Sequence, residues 1–564
     1  MKQKRSFKTK LVIILAVSVV LALLLSVVLI FKNNKKSNPV SVRIIATSDL
    51  HGKMRSYDYL ANSFEFSGSV SQLSSAVKYY KNQNSVLVDV GDAIQGNSAE
   101  LFLDENVHPM IKALNKMGYD FEVLGNHEFD YDPDKIDKYI NGFDGTVLTG
   151  NLYKKDGSKV CDGYKIINKN GIRIAFIGMT TPNSAGWSKE DKEALQVTDP
   201  LEETKKIIKE IQGQYDVLVG IYHLDIFNEY DIPNSGVTDI CNACPEFDVM
   251  VASHGHRKIE GEIINGVLVV ENQDRAQTMS VIDIDMKKTK EGWAVKKKKS
   301  DCVLISNFPA DPEMMVFFEG YDRRAKEDAR TVIGKLEKGP LVKDISEVDV
   351  PVSDPQNTAV TYLTDTAEIE LINKVMMTYA QCDVACTANN DPKSNILPGD
   401  IHKCDISRIY KYSNTLCKVH MSGSQLKKFL EYNAGCYKTY SKGDKGVEIE
   451  DDSPIYSYYM FDGIKFDIDV SEEKGSRIKN LTHMNGTPIK DDDEMDVALN
   501  GYLANSTLLA PGVLYEKDDM PSLVAADIHA EKGGIRELII DYINNDKDGI
   551  IYPDCDYNWK LTGY

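Results

Sequence analysis

The sequence predicts a layered α/β domain in residues 40–311, then a linker helix and loop at 312–355 and an α+β domain at 356–564. Three observations support this division. At 564 residues the chain is too long for one hydrophobic core. In the first 300 residues, short runs of Val, Ile and Leu alternate with helical patterns, which is typical of layered α/β domains. The stretch GPLVKDISEVDVPVSDPQ, residues 339–356, then breaks all periodicity and marks the boundary.

The N-terminus has the pattern of a membrane anchor. Residues 1–10 are basic, and residues 11–31 form an apolar run without charges that is long enough to span a bilayer. More lysines precede the run than follow it, which predicts a cytoplasmic N-terminus and a single-pass protein with residues from about 40 onward outside the cytoplasm. The alternative is a cleaved signal peptide and a secreted protein.

The charge of the chain restricts its partners. The formal net charge is −19, and residues 1–40 hold eight Lys and Arg and no acid, so the remainder carries about −27. Such an acidic body argues against binding of polymeric nucleic acid through its phosphates. Binding of a small anion therefore requires metal ions or a local basic pocket. The ten cysteines are irregularly spaced and do not form a zinc ribbon, which predicts scattered buried or paired thiols.

Polar side chains follow five predicted strands. The runs VRIIATSD, SVLVDVGD, FEVLGNH, YDVLVGIYH and FDVMVASHGH are rich in Val, Ile and Leu, as buried strands are. In open α/β sheets, ligands bind beyond the carboxyl ends of the strands, so we expect these side chains to meet at one sheet edge. The candidate metal ligands delivered there are Asp49, His51, Asp92, Asn126, His223, His254 and His256.

The coincidence of five strand ends separates this set from ordinary turn chemistry. A single Asp or Asn after a strand is most often a turn former, and a lone His is most often structural. Here five of the ten histidines, His127 included, stand at predicted strand ends. Mixed carboxylate, imidazole and amide ligands suit Zn, Mn, Fe or Co. Seven ligands exceed one tetrahedral ion, so we expect two divalent ions with a bridging carboxylate, the usual device for displacement at phosphorus.

The five blocks DLHG, GDAIQG, GNHEFD, GIYHLD and SHGH together resemble the calcineurin-like metallophosphoesterases, and within them the 5′-nucleotidase branch. The resemblance implies a four-layer α/β/β/α domain. It also implies that Asp49, His51 and His256 hold one metal. Asn126, His223 and His254 would hold the other, with Asp92 as the bridge. The sequence departs from the family at Ser253, which replaces a glycine, at Gly255, which replaces Ser or Thr, and at Leu224–Asp225, where Ser-Gly is common.

The second half of the chain extends the resemblance. The blocks IYKYSNTL, FDGIKFDIDV, GSRIKNLT and DYNWKL are most similar to bacterial 2′,3′-cyclic-nucleotide 2′-phosphodiesterase/3′-nucleotidases. In that family two aromatic side chains of this domain clamp the base. The matching residues are Tyr412, with Asn414 nearby, and Tyr502. After Tyr502 this chain reads LANSTLLAPG, where relatives usually have an Arg and a glycine-rich loop.

These features lead to a functional hypothesis. The predicted reaction is hydrolysis of 2′,3′-cyclic nucleotides to 3′-nucleotides, and then to nucleoside and phosphate, by a hydroxide held between two metals. His127 is expected to stabilise or protonate the leaving oxygen, with Asp130 orienting its ring. One alternative is a 5′-nucleotidase or nucleotide-sugar hydrolase on the same scaffold. Another class of protein, a membrane-tethered binding protein with a vestigial site, also stays open. No feature of the sequence indicates an oligomeric state.

Overall fold

The computed structural model describes residues 41–182, 193–228, 232–290, 292–389, 391, 393–412, 414–450, 457–510, 512–529 and 532–564. The predicted anchor at 11–31 lies outside these residues. Among the described residues, no helix has the length and apolar character needed to cross a bilayer. The described residues divide into two compact units, one of residues 41–57 with 64–323, and one of residues 58–63 with 324–564.

The strands up to residue 323 are, in chain order, β1 Ser41–Thr47, β2 Tyr57–Asp58, β3 Ser63–Phe64, β4 Ser85–Asp89, β5 Phe121–Glu122, β6 Thr146–Val147, β7 Leu152–Lys154, β8 Tyr164–Lys169, β9 Ile172–Thr180, β10 Leu195–Val197, β11 Val217–His223, β12 Val249–Ala252, β13 Ile259–Ile264, β14 Val267–Glu271, β15 Thr278–Lys288 and β16 Trp293–Leu304. The helices that begin in this part are α1 Val70–Tyr80, α2 Pro109–Met117, α3 Pro133–Gly142, α4 Pro200–Glu210, α5 Val237–Ala243, α6 Pro312–Phe317 and α7 Glu319–Ala329.

Two six-stranded sheets form the centre of the first unit. Their strand orders are β16-β15-β1-β4-β5-β6 and β13-β14-β12-β11-β9-β8. The sheets pack face to face through one buried cluster that takes Ile44 and Val88 from the first sheet and Val219 from the second. Phe121 and Phe176 meet across this interface with their ring centroids 4.7 Å apart. The interdigitated apolar side chains make the space between the sheets a dry core.

Helices cover the outer faces of the sandwich. On the second sheet, Ile207 of α4 and Ile240 of α5 share a buried cluster with Ile177 and Met250. Helices α1, α2 and α3 connect the parallel neighbours β1, β4, β5 and β6. Helix α1 begins at its cap Ser69, whose hydroxyl accepts the backbone N–H of Gln72. The predicted four-layer α/β/β/α architecture is confirmed.

The expectation of one shared sheet edge was wrong in one respect. Asp49 and Asp92 follow strands of the first sheet, whereas His223 ends a strand of the second and His254 follows another. The two sheets pack with the carboxyl ends of these parallel strands at the same end of the sandwich, so the side chains still converge. Strand β5 is also shorter than the FEVLGNH pattern suggests, because only Phe121–Glu122 joins the ladder.

The second unit is built from small sheets and helices. Its strands are β17 Val332–Leu336, β18 Val384–Ala388, β19 Gly399–His402, β20 Leu416–Ser422, β21 Tyr459–Asp462, β22 Ile464–Asp469, β23 Ile478–His483, β24 Glu494–Asn500, β25 Ser522–Ile528, β26 Ile550–Ile551 and β27 Trp559–Thr562. Its helices are α8 Ala367–Ala380, α9 Lys403–Ile409, α10 Gly423–Ala434, α11 Gly501–Leu503 and α12 Ile535–Asp541. The sheet orders are β19-β17-β26, β21-β18-β24-β20-β25 and β23-β22-β27. The predicted α+β class is confirmed.

The predicted linker helix is shorter than the sequence pattern suggests. Helices α6 and α7 are separated at Phe318, and the helical backbone ends at Ala329. Residues 332–336 instead form β17, which pairs antiparallel with β19 and parallel with β26. The β-branched residues Thr331, Val332 and Ile333 followed by Gly334 favour a strand over a helix, which explains the difference.

Candidate active site

The structure gathers the predicted metal ligands into two clusters at the end of the sandwich. Within each cluster one ligand atom per residue lies within 4.8 Å of the others. The first cluster consists of Asp49, His51 and His256, and the second of Asp92, His223 and His254. The amide of Asn126 joins the second cluster, as its Oδ1 lies 2.9 Å from His223 Nε2 and 2.6 Å from His254 Nδ1.

The first cluster has the donor set of a cation site. The Nε2 atoms of His51 and His256 face each other at 3.2 Å, and His256 Nε2 lies 3.4 Å from Asp49 Oδ1. The other oxygen of Asp49 is buried without a hydrogen-bond partner among the described residues. Two facing imidazole nitrogens can share only one proton. A divalent cation, by contrast, can be coordinated by both nitrogens and by the carboxylate. These residues fit a metal ion.

The second cluster is arranged around the completely buried ring of His223. Its Nδ1 lies 2.6 Å from the carbonyl oxygen of Val90, which leaves Nε2 directed at Asp92 Oδ2, 3.3 Å away. A carbonyl behind one ring nitrogen fixes the ring orientation and the tautomer, as in many metal sites. The backbone N–H of His254 points at Asp49 Oδ1 at 3.3 Å and so links the clusters. A bridging role for Asp92 stays a prediction; its charge also acts on His51.

The backbone at these ligands is in an uncommon conformation. Five of the seven residues have φ in the left-handed region: Asp49 at 53°, His51 at 42°, Asp92 at 58°, His254 at 71° and His256 at 54°. Non-glycine residues adopt this region rarely, and each instance costs on the order of 1 kcal/mol. Several such residues at one end of the sandwich are typical of a functional site. The left-handed backbone directs their side chains to positions that an unstrained turn would not reach.

Electrostatics in the clusters reflect closely packed opposite charges. Burial alone raises the pKa of Asp92, but the neighbouring His223 and His127 hold that pKa well below its usual range. Burial lowers the pKa of His223, but the carboxylate of Asp92 outweighs it and raises the value to about 10. Burial lowers the pKa of His51 to about 4, so this ring is a neutral ligand at pH 7. A bound cation supplies the positive charge that protons otherwise provide.

The predicted catalytic pair lies beside the clusters. Residues His127–Asp130 form a 3₁₀ turn directly after Asn126. The turn places His127 Nδ1 2.7 Å from Asp130 Oδ2, and the His127 ring packs edge-on to His51 with centroids 5.5 Å apart. Burial opposes protonation of His127, but the carboxylates of Asp92 and Asp130 prevail and raise its pKa to about 9. His127 belongs to neither ligand cluster.

Several supporting residues were missed in the sequence analysis. The carboxylate of Glu128 accepts the backbone N–H groups of Asp92 at 2.9 Å, Ala93 at 3.0 Å and Gly125 at 2.7 Å. It thereby fixes the two loops that carry Asp92 and Asn126. Gln95 Oε1 lies 2.9 Å from His51 Nδ1 and orients that ring. Both residues stand inside the GNHEFD and GDAIQG blocks, so their position within the motifs was the available signal.

The departures from the family pattern have a structural explanation. The hydroxyl of Ser253 donates to the carbonyl of Val90 at 3.0 Å and lies 3.1 Å from His223 Nδ1. A Cβ atom at Gly255 would lie 2.6 Å from Asp225 Oδ1, which makes a two-point ion pair with Arg257 at 2.9 and 3.0 Å. A side chain at position 255 would therefore collide with the carboxylate of Asp225, which explains why glycine stands there. The chain retains every predicted metal ligand.

The predicted base-binding residues belong to the second unit. Strands β20 and β24 pair antiparallel with Leu416 opposite Asn500, so the segment before Leu416 and the segment after Asn500 meet at one sheet end. Tyr412 precedes Leu416 and is 46% exposed, and Tyr502 follows Asn500 and is 59% exposed. Asn414 lies in the segment before Leu416, and its carbonyl accepts the backbone N–H of Ile535 at 2.9 Å. Two exposed rings at one sheet end are available for stacking.

The fold and the two ligand clusters define the class of protein: a metallophosphoesterase, that is, a metal-dependent hydrolase of phosphoester bonds. Residues 42–258 match the calcineurin-like phosphoesterase family, and residues 344–508 match the 5′-nucleotidase C-terminal domain. The chain therefore combines a calcineurin-like phosphoesterase domain with a 5′-nucleotidase C-terminal domain. Divalent metals are the cofactors of this family; their identity and the individual ligands stay predictions.

Curated relatives are similar over most of this chain. It is 25% identical over 622 residues to the trifunctional nucleotide phosphoesterase protein YfkN of Bacillus subtilis, with 100% of this chain and 42% of the relative covered. It is 24% identical over 599 residues to the 2′,3′-cyclic-nucleotide 2′-phosphodiesterase/3′-nucleotidase of Salmonella typhimurium, with 93% and 89% covered. The chain thus spans less than half of YfkN but most of the Salmonella protein.

Solved structures share the fold. A putative 5′-nucleotidase from Staphylococcus aureus superimposes with a TM-score of 0.71 at 20% identity, covering 92% of this chain and 99% of that one. The 5′-nucleotidase precursor from Thermus thermophilus gives a TM-score of 0.54 at 18% identity, covering 93% and 100%. At these identities the likeness concerns the fold alone.

Proposed function

We propose that this protein hydrolyses nucleotide phosphoesters, taking 2′,3′-cyclic nucleotides to 3′-nucleotides and then to nucleoside and phosphate. The observation that carries the proposal is the similarity to the Salmonella protein, which extends through both domains and covers 89% of that relative. Proteins of the same name from Haemophilus influenzae and Yersinia enterocolitica match over 94% and 96% of this chain. A shared phosphoesterase domain alone would support only the reaction class.

In this proposal each of the two clusters binds one cation. Asp49, His51 and His256 hold one cation, Asn126, His223 and His254 hold the other, and Asp92 lies between them. Mixed nitrogen and oxygen ligands suit Zn, Mn, Fe or Co. When bound, the two cations supply a water of lowered pKa and neutralise charge on the phosphoryl oxygens.

The proposed role of His127 is proton delivery to the leaving ribose oxygen. Its Nδ1 is engaged by Asp130 at 2.7 Å, so the proton that can be donated lies on Nε2. The carboxylates of Asp92 and Asp130 favour the protonated ring. A positioned imidazolium contributes a factor of roughly 10²–10⁴ in rate. The 3₁₀ turn gives Asn126 and His127 different partners although they are adjacent in the chain.

The second unit is proposed to bind the base through Tyr412 and Tyr502. Stacking on aromatic rings is worth about 1–3 kcal/mol per base and tolerates every base. Tyr412→Ala should therefore raise KM by roughly 5- to 100-fold, with kcat changed less, on every nucleotide accepted. Tyr564→Phe, at an exposed C-terminal ring, is the control. An unchanged KM in Tyr412→Ala removes Tyr412 from the base site.

Substrate preference is tested with a small panel. Phosphate release from 3′-AMP and 5′-AMP is compared in the presence of Mn²⁺ or Zn²⁺, together with ring opening of 2′,3′-cyclic AMP. The proposal expects turnover of 2′,3′-cyclic AMP and 3′-AMP. Turnover of 5′-AMP alone supports the 5′-nucleotidase or nucleotide-sugar hydrolase alternative, which the 5′-nucleotidase C-terminal domain favours. A metal-replete protein with no activity on any phosphoester supports the vestigial binding alternative.

We further propose that residues 11–31 anchor the protein in the cell membrane with both units outside the cytoplasm. The support is the charge-free apolar run and the lysines on both sides of it. Protease treatment of intact cells should degrade the folded units while leaving a cytoplasmic marker intact. Recovery of the protein in the culture medium, lacking its first residues, supports signal cleavage and secretion instead.

A further inference from the structure

A second group of carboxylates lies within the second unit and takes no part in the proposed reaction. Asp365, Glu370, Asp462 and Asp556 each place one oxygen within 4.8 Å of the others. They come from three separate segments of the chain. Asp365 and Glu370 flank the start of helix α8, Asp462 ends strand β21, and Asp556 precedes strand β27. The fold therefore brings four acids together from positions up to 191 residues apart.

Two of these acids are almost completely buried. Asp365 is 3% exposed and Asp462 is 2% exposed. Both oxygens of Asp462 and Glu370 Oε2 accept no hydrogen bond of normal geometry among the described residues, and the Asp462 and Glu370 carboxyl groups face each other closely enough to share a proton. Asn373, a fully buried residue of helix α8 that interacts with Asp462, also leaves its Oδ1 without a partner. Polar atoms buried in this way destabilise the fold unless a ligand or a proton satisfies them.

Protein cations compensate little of this charge, since Lys374 acts on Glu370 without forming a salt bridge to it. In the part of the chain that the structure describes, no Lys, Arg or His forms a salt bridge with any of the four acids. Burial and the charges of Glu370 and Asp365 raise the pKa of Asp462 well above its usual range. Burial likewise raises the pKa of Asp365 to about 6. The buried carboxylates therefore keep their negative charge only at a cost, which either a proton or a bound cation relieves.

The backbone around the cluster is held rigidly. Asp462 is in register with Ala385 in the neighbouring strand. The side-chain amide of Asn558 donates to the carbonyls of Phe461 at 2.7 Å and Ile464 at 2.8 Å, which fixes the turn after Asp462 to the segment that carries Asp556. Asp365 Oδ1 accepts the backbone N–H of Thr366 at 2.8 Å. The acids cannot separate easily to relieve their repulsion.

We propose that Asp365, Glu370, Asp462 and Asp556 bind a structural divalent cation, of the calcium class, within the second unit. All four ligands are carboxylates, which suit hard cations such as Ca²⁺, whereas the clusters of the first unit contain imidazole and suit transition metals. Asp556 is exposed, so the site opens to solvent and a cation can enter. A bound ion ties helix α8, the β21–β22 turn and the C-terminal segment together.

The test uses the purified full chain with its catalytic centre saturated with Mn²⁺. Thermal unfolding and isothermal calorimetry are measured with added Ca²⁺ for wild type, Asp462→Asn and the control Asp383→Asn. Asp383 is an exposed acid that lines the same groove without belonging to the cluster. We expect Ca²⁺ to raise the Tm of wild type and of Asp383→Asn. In Asp462→Asn the Ca²⁺ affinity should fall by roughly 10- to 100-fold or more.

A second readout separates cation binding from general destabilisation. Without Ca²⁺, Asp462→Asn should melt at or above the wild-type temperature, because the amide is neutral and the buried site then needs neither a proton nor a cation at this position. Asp556→Asn, at an exposed position, provides the same test if Asp462→Asn does not fold. Absence of a Ca²⁺ response in wild type, or an equal response in wild type and the cluster variants, overturns the proposal. Hydrolysis by the cluster variants stays intact in either case, so this outcome is distinct from failure of the proposed function.

Discussion

Asn126 and His127 illustrate how neighbouring residues acquire different roles. Asn126 Oδ1 is surrounded by His223 and His254, at 2.9 and 2.6 Å. The backbone N–H of His127 donates to Asp92 Oδ1 at 2.9 Å, while its ring turns to Asp130. The 3₁₀ turn that begins here therefore directs a predicted metal ligand and a proposed proton donor, adjacent in the chain, to different partners.

The first prediction follows from that separation. His127→Ala should lower kcat by roughly 10²–10⁴-fold, because the proton donor is lost. Metal content should stay at the wild-type level, because the alanine keeps the backbone N–H to Asp92 and the ring belongs to neither cluster. Elemental analysis and steady-state kinetics on one preparation check both. His223→Ala is the contrasting variant and should lose metal; a His127→Ala protein that also loses metal contradicts the assignment.

The second prediction concerns the glycine before this pair. A Cβ atom at Gly125 would lie 2.1 Å from Asp92 Oδ1 and 2.7 Å from His223 Cε1. Gly125→Ala should therefore displace Asp92 and weaken metal binding by roughly 10- to 100-fold. Gly320→Ala is the control, because a Cβ atom there meets nothing within 4 Å. Equal metal titrations for Gly125→Ala and wild type would show that Asp92 tolerates the contact.

Among the elements, helix α8 carries a buried acid in its first turn. Glu368 is completely buried, and its Oε1 accepts the hydroxyl of Ser394 at 2.6 Å. Burial raises the pKa of Glu368 to about 8. The folded state therefore binds this proton more tightly than the unfolded state, so its ionisation costs nothing below pH ~4.5 and progressively more up to pH ~8.

The third prediction is a pH-dependent effect of Glu368→Gln. The amide keeps the acceptor for Ser394 and removes the ionisation, so the variant should match wild type near pH 4.5. The free energy of unfolding of the variant minus that of wild type should then rise by up to about 1.4 kcal/mol per pH unit toward pH 8. Urea unfolding between pH 4.5 and pH 9 measures this difference. Glu516→Gln, at an exposed position, should leave the profile unchanged; a flat difference for Glu368→Gln contradicts the account.

The elements also show what sequence patterns can and cannot predict. The strands ending near Asp49, Asp92 and His223 were predicted because buried parallel strands are continuous apolar runs. Their division between two sheets was not visible in periodicity, since that depends on which strands pair. The segment after Ala329 was included in the predicted linker helix and loop, yet Val332–Leu336 forms a strand that pairs with β19 and β26. Tertiary pairing outweighed local propensity there.

At the scale of the whole molecule, the candidate site was more predictable than its supporting residues. The seven ligands stood out because histidines collected at strand ends, and the structure brings them together. Glu128 was missed because an acid after a histidine has no distinctive pattern until its three backbone contacts are seen. The acidic cluster was missed because Asp365 and Asp556 lie 191 residues apart and only the fold joins them.

The two-cluster arrangement also explains how an acidic chain can bind an anionic substrate. With about −27 outside its first 40 residues, the body repels phosphates at long range. In the proposed function, the cations held by the clusters supply the local positive charge, so substrate affinity should depend on metal occupancy. The acidic cluster of the second unit is proposed to bind a different cation. That cation would stabilise the fold and take no part in hydrolysis.

The most direct measurement compares metal content and hydrolysis in wild type and Asp92→Asn. Asp92 is a buried member of the second cluster, and its charge also acts on His51 of the first, so it is the carboxylate proposed to bridge the two. Wild type should carry two transition-metal ions per catalytic centre, and Asp92→Asn should hold fewer and hydrolyse 2′,3′-cyclic AMP at least about 100-fold more slowly. Undiminished hydrolysis by Asp92→Asn would contradict the two-metal centre.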